Sequence, residues 1–82
     1  MKFKSAILYS SGEQHPSRWH SECGKYAISM YQYDHDGNLV RPYYVAYRRS
    51  DGVRLTPDDT SMTSFDDVVS RVEKYASEVD NA

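Results

Sequence analysis

Ser64-Phe65-Asp66-Asp67-Val68-Val69-Ser70-Arg71-Val72-Glu73-Lys74-Tyr75-Ala76-Ser77-Glu78-Val79 is the stretch on which the fold turns. Phe65, Val68, Val69, Val72, Tyr75, Ala76 and Val79 recur at helical spacing and make one unbroken apolar stripe. Asp67, Ser70, Arg71, Lys74 and Glu78 fall on the opposite side. Ser64 carries a short hydroxyl suited to capping a helix N-terminus, and Asp66 and Asp67 place carboxylates in the first turn, where the helix dipole favours anions. The valines lower intrinsic helix propensity, so this helix needs an apolar surface beneath it to be stable.

Upstream of the helix the period changes from helical to alternating. Lys2 to Tyr9 reads as a first strand, with Phe3 and Ile7 on one side and Lys2 and Lys4 on the other. Ser10 to Ser21 carries loop signals, Ser-Ser-Gly and then His15-Pro16-Ser17. Lys25 to Asp34 alternates as a second strand, and Asp36-Gly37 marks a tight turn. Arg41 to Arg49 is a third strand, with Pro42 near its start, where a missing N–H is tolerated. Ser50-Asp51-Gly52 signals another turn into a short strand at Val53–Thr56, ended by Pro57. Trp19 lies in the polar loop before the second strand, either as a lid over the core or as an exposed anchor. The expected fold class is α+β: one domain over residues 1–82, an antiparallel three- to four-stranded β-meander followed by one C-terminal amphipathic helix packed on one face. The registers leave open whether Tyr43, Val45 and Tyr47 or Tyr44 and Ala46 face the helix.

A chain of 82 residues has room for one small core and buries only about 60% of the surface its unfolded form exposes. Its hydrophobic fraction is 39%, yet eight tyrosines raise the aromatic share to 13%, which points to apolar surface lying close to water. The single cysteine, Cys23, excludes an internal disulfide framework. No apolar run is long enough for a membrane span or a signal-peptide core, so a cytoplasmic location is expected. The net charge of −2 conceals an asymmetry: residues 1–54 hold eight Lys/Arg against five acids, residues 55–82 two against seven. Sheet and helix therefore carry opposite signs.

The order of an aromatic hairpin, an Asp-Gly turn, a brief strand and a capped helix resembles small proteins of phages and other mobile elements. The residues that carry the likeness are Tyr26-x-Ile28, Tyr44-x-Ala46-Tyr47, Asp51-Gly52, Leu55 and Ser64-Phe65-Asp66-Asp67-Val68, and it spans roughly residues 25–79. Some proteins of that kind are anti-CRISPR or other counter-defence inhibitors. The resemblance implies a small non-enzymatic protein, phage-encoded, that binds and inhibits a host complex in the host cytoplasm.

Each chemical class leaves its own signature. His15, His20 and Cys23, with His35 in a later turn, have ligand chemistry, but zinc sites pair two ligand doublets and only His20-x-x-Cys23 has workable spacing. No metal and no cofactor are expected. Ser-Glu-Cys-Gly-Lys around Cys23 matches no nucleophile signature, and the carboxylate pairs Asp58/Asp59 and Asp66/Asp67 are explained by a loop and a helix start, so no enzyme is expected. A protein-binding surface fits more of the features: Tyr31, Tyr33, Tyr44 and Arg48 have the side chains that anchor interfaces, and Asp58, Asp59, Asp66 and Asp67 would meet a basic partner. The alternative is single-strand nucleic-acid binding through Arg41, Tyr43, Tyr47, Arg48, Arg49 and Arg54, which set cations beside stacking faces. The negative overall charge weighs against it. An exposed edge strand would also let the chain pair with itself as a homodimer.

Overall fold

The strand pattern resolves into a hairpin, β3 (Tyr26–Tyr33) with β4 (Leu39–Arg48), to which two short strands are added on one side. These are β1 (Phe3–Ser5) and β2 (Arg18–Ser21), and the sheet runs in the order β1-β2-β3-β4 with every neighbour antiparallel. The helix, α1 (Phe65–Asp80), follows the sheet, so the chain is an α+β meander closed by a C-terminal helix. The coordinates are a computed structural model that describes residues 1–5 and 18–80.

Register decides which side chains meet the helix. Tyr26, Ile28 and Met30 pair with Arg48, Ala46 and Tyr44, so these six share one face. Ala27, Ser29 and Tyr31 pair with Tyr47, Val45 and Tyr43 on the other. The helix covers the first set: Tyr26, Ile28, Ala46, Val68 and Val72 form the buried cluster, ringed by Phe3, Trp19, Tyr44, Leu55, Met62, Phe65, Val69, Tyr75 and Ala76. The parity open in the sequence is thus settled in favour of Tyr44 and Ala46 facing the helix. Burial of Val68 and Val72 against the sheet supplies about 1.5–3 kcal/mol for each side chain, which offsets the poor helix propensity of valine.

Ser64 caps the helix as expected, its Oγ accepting the Asp67 amide at 3.4 Å. The stripe is shorter than the sequence suggests, because Val79 is 49% exposed. Among the described residues the core packing of the helix extends to Tyr75 and Ala76 and does not include Val79. Arg48 ties the helix down just before that point. Its guanidinium makes a two-pronged pair with Asp51 and donates to the Tyr75 hydroxyl at 2.5 Å.

Two strand expectations are corrected. Arg18–Ser21, within the expected loop, is strand β2. Its four residues are too few for periodicity to show; pairing of Arg18, Trp19 and His20 with Ser29, Ile28 and Ala27 makes it a strand. Trp19 consequently packs inward, 5.0 Å from Phe65 and 5.9 Å from Tyr44 between ring centroids. The strand expected at Val53–Thr56 is a single bridge, Tyr47 with Arg54. Arg54 curls the chain away from the sheet by donating to the carbonyls of Thr56, Pro57 and Asp59. The first strand is described only as Phe3–Ser5, and the expectation for Ala6 to Tyr9 lies outside the described residues, as does His15.

One edge of the sheet is covered by the chain itself. On β4 the Tyr44 amide donates to Met62, the Arg48 amide to Val53, and the Ala46 carbonyl accepts from Leu55. The chain after β4 therefore satisfies the outward-facing groups from Tyr44 to Arg48, and this edge is closed to another strand there.

Candidate functional site

The helix begins beside Tyr44, against which Phe65 packs at 5.5 Å, and reaches Arg48 through Tyr75. The part of the β3–β4 hairpin from Tyr31 to Arg41 therefore projects beyond the helix start. Asp34 fixes its turn. One carboxylate oxygen accepts the amides of Asp36 and Asn38, each at 2.9 Å, while the Asp34 amide donates to the Asn38 carbonyl at 3.0 Å. Gly37 completes the turn at φ +83°, a conformation that a side chain would strain. The Asp36-Gly37 signal is met, with Asp34 as the residue that holds the loop.

On this rigid support sits an aromatic patch. Tyr31 and Tyr43 lie side by side with ring centroids 5.8 Å apart, and the Tyr43 hydroxyl donates to the Tyr33 carbonyl at 3.1 Å. Tyr31 is 47% exposed, Tyr33 60% and Leu39 70%. The pairing of Tyr31 with Tyr43 and of Tyr33 with Leu39 places all four on the face away from the helix. Between those two pairs the register slips, giving β4 extra residues at Val40, Arg41 and Pro42 against Gln32. Pro42 falls in this irregular stretch, where no ladder bond is lost. Arg41 is exposed beside the patch and has no ion pair among the described residues. The patch ends at Ser29, which with Ala27 is buried on the same face.

The structure separates the candidate residues. Tyr31 and Tyr33 are at the surface together, joined by Tyr43 and by Leu39, which the sequence reading passed over. Tyr44 is a correction: it faces the helix within the Trp19–Phe65 aromatic cluster and is not a surface residue of the patch. Arg48 is occupied by Asp51 and Tyr75, and Arg54 by the 56–59 loop, where it also pairs with Asp58 at 3.3 Å. Both cations serve to fold the chain. Asp58, Asp66 and Asp67 are exposed, while Asp59 accepts the amide and hydroxyl of Ser61. Arg49 is exposed and Tyr47 half-buried, both at the opposite end of the hairpin from Arg41.

Ionisation follows these contacts. The Asn38 amide, with that of Asp36, holds the Asp34 carboxyl below its ordinary 3.8 despite some desolvation. Hydrogen bonding from Arg48 lowers Asp51, and the Ser61 hydroxyl and amide lower Asp59. Arg48 is in turn held more firmly protonated, chiefly by its bond to Asp51. The imidazole of His20 is lowered from 6.5 by burial and then by the charges of Arg49 and Arg18. Asp34, Asp51, Asp59 and His20 each release a proton more readily in the folded chain. Stability is therefore full above the unfolded values, begins to fall below about pH 6.5 through His20, and falls further below about pH 4 through the carboxylates. Thermal melts at pH 7, 5 and 3 are expected to show midpoints descending in that order, with Asp34→Asn flattening the lower part; a midpoint constant to pH 3 contradicts the assignment.

Among the described residues no group of three His, Cys, Asp or Glu side chains could hold a metal. Cys23 is exposed in the β2–β3 turn, with its Sγ 3.3 Å from the Ser21 Oγ. That hydroxyl also accepts the Tyr26 amide, which leaves its proton free for the sulfur. The Ser21 bond, and after it the Lys25 amide, lower the thiol pKa. No helix among the described residues is long and apolar enough to cross a membrane. Comparisons with protein-family models, curated proteins and solved structures found no match to this chain.

Proposed function

We propose that the chain is a non-enzymatic protein-binding module whose contact surface is the tip of the β3–β4 hairpin. The observation that carries this reading is the exposure of Tyr31, Tyr33 and Leu39 on one face of a turn locked by Asp34. Tyrosines held on a rigid support lose little conformational entropy on binding and bury large area, which is why they anchor interfaces. Arg41 adds a cation at the rim, while Asp66 and Asp67 lie on the first turn of the helix, on the other face of the sheet. A partner with an apolar groove edged by an acidic group fits this tip, and the helix acids would make a separate contact with a basic surface. The resemblance to small phage proteins supports a partner within a host complex, with inhibition by occupation of a surface as the mode of action.

The test is capture of a partner at near-stoichiometric amounts by the wild-type chain and its loss with Tyr31→Ser/Tyr33→Ser. Arg71→Ala, on the outer side of the helix, serves as the control. Capture that survives the double substitution removes the hairpin tip from the reading.

A second reading rests on the same face. Tyr31 and Tyr43 beside Arg41 form a stacking surface, and Arg18 and Arg49 lie further along the sheet. This is the arrangement of a single-strand nucleic-acid module. It predicts oligonucleotide binding that weakens steeply with salt and is diminished by Arg41→Ala, while Arg48→Ala acts only through stability. Fluorescence anisotropy at two salt concentrations checks this, and no binding at low salt ends the second reading. Self-association remains a third arrangement: with the β4 edge closed from Tyr44 to Arg48, it would use the Phe3–Ser5 edge, and sedimentation would detect it.

A further inference from the structure

We propose that the cleft between the β2–β3 turn and the turn after β4 binds a phosphate group, as inorganic phosphate or a small phosphate monoester. Gly24, Lys25, Arg48, Arg49 and Ser50 line this cleft, whose volume is about 510 Å³. That lies within the ~300–1,000 Å³ of small-molecule sites.

The Arg49 amide donates to the Lys25 carbonyl at 2.9 Å, which continues the register of Tyr26 with Arg48 by one residue. Lys25 and Arg49 are therefore directly opposite each other at the end of the sheet. Like charges in that relation repel, and neither has an ion pair among the described residues. A dianion placed between them turns the repulsion into attraction.

The donors are arranged for such a ligand. One guanidinium nitrogen of Arg49 donates to the Gly24 carbonyl at 3.1 Å, which orients the plane and leaves the other N–H groups for an anion. Arg48 is neutralised by Asp51 and acts as a wall, and none of the described lining residues is a carboxylate. The Ser50 hydroxyl adds a neutral donor. Two nearby groups report the same positive field. His20, besides being desolvated, has its cationic form disfavoured by Arg49 and Arg18. The thiol of Cys23, besides its bond from Ser21, has its anionic form favoured by Lys25.

The site lies at the opposite end of β3 and β4 from Tyr31 and Tyr33, so it stands or falls independently of the protein-binding reading. The experiment is an NMR titration of the full chain, following backbone amides, with inorganic phosphate and with adenosine monophosphate at constant ionic strength. The expected result is saturable shifts centred on Gly24, Lys25, Arg49 and Ser50. Lys25→Gln should weaken binding about tenfold, the worth of one charge-assisted hydrogen bond. Arg49→Lys keeps the charge and a donor for the Gly24 carbonyl while removing the fork, so a folded variant with weakened binding supports the geometry. Tighter binding of the monophosphate assigns an esterified ligand; equal binding assigns the bare anion. Shifts that fail to saturate, that sodium chloride reproduces, or that survive Lys25→Gln overturn the proposal.

Discussion

Phe65→Ala is expected to lower the unfolding free energy by about 3 kcal/mol, the lower end for loss of a core phenylalanine, because the ring is half-buried. Phe65 is the first helical residue and touches three others: Phe3 at 6.3 Å, Trp19 at 5.0 Å and Tyr44 at 5.5 Å between centroids. Those rings come from β1, β2 and β4, so one side chain joins the helix to three strands. A chain of this length has a total stability of only about 4–12 kcal/mol. The loss is therefore a large part of the whole and should move a urea midpoint by about 3 M at a slope near 1 kcal/mol/M. Val79→Ala, at the exposed end of the same stripe, should change stability by less than about 0.5 kcal/mol. Equal effects at the two positions would show that the helix rests on the sheet along its whole length, contrary to the packing described.

Tyr31→Ser/Tyr33→Ser is expected to weaken partner binding by at least about a hundredfold, since a single hot-spot tyrosine is worth about 2 kcal/mol. The same change should leave the fold intact. Tyr33 contributes its carbonyl, which serine retains, to the bond from Tyr43, and Tyr31 loses one exposed ring contact. Stability should shift by about 0.5 kcal/mol per site. Large binding loss with little unfolding, measured on one preparation by calorimetry and circular dichroism, separates a contact role from a structural one. Asp66→Asn/Asp67→Asn then asks whether the acidic helix start belongs to the same interface. If that pair abolishes binding and the tyrosine pair does not, the contact surface is the helix end.

The long elements were legible because their patterns are local. Fifteen residues of helical stripe with a Ser64 cap and a run of alternating residues from Lys25 to Asp34 each repeat their signal several times. Strand β2 was not legible, since Arg-Trp-His-Ser offers no repeat and sits behind turn residues. The candidate site was legible only in part. Tyr31 and Tyr33 could be picked out by residue type, whereas Tyr44 could not be told from them. The two parities of a strand look alike until register is fixed. Arg48 and Arg54 looked like free cations because their partners, Tyr75 and the carbonyls of the 56–59 loop, are set by the path of the chain.

By itself, then, the sequence determined an α+β chain with a capped amphipathic helix, tight turns at Gly37 and Gly52, and a sheet and helix of opposite charge. Those properties follow from side-chain type and spacing along a few consecutive residues. Tertiary structure alone decided that Tyr44 packs against the core under the helix while Tyr31, Tyr33 and Leu39 are surface, that Arg48 clamps the helix, and that Lys25 and Arg49 stand face to face. The physical reason is register. A shift of one residue exchanges the two faces of a strand without altering its composition, and packing of Val68 and Val72 against Ile28 and Ala46 selects between them.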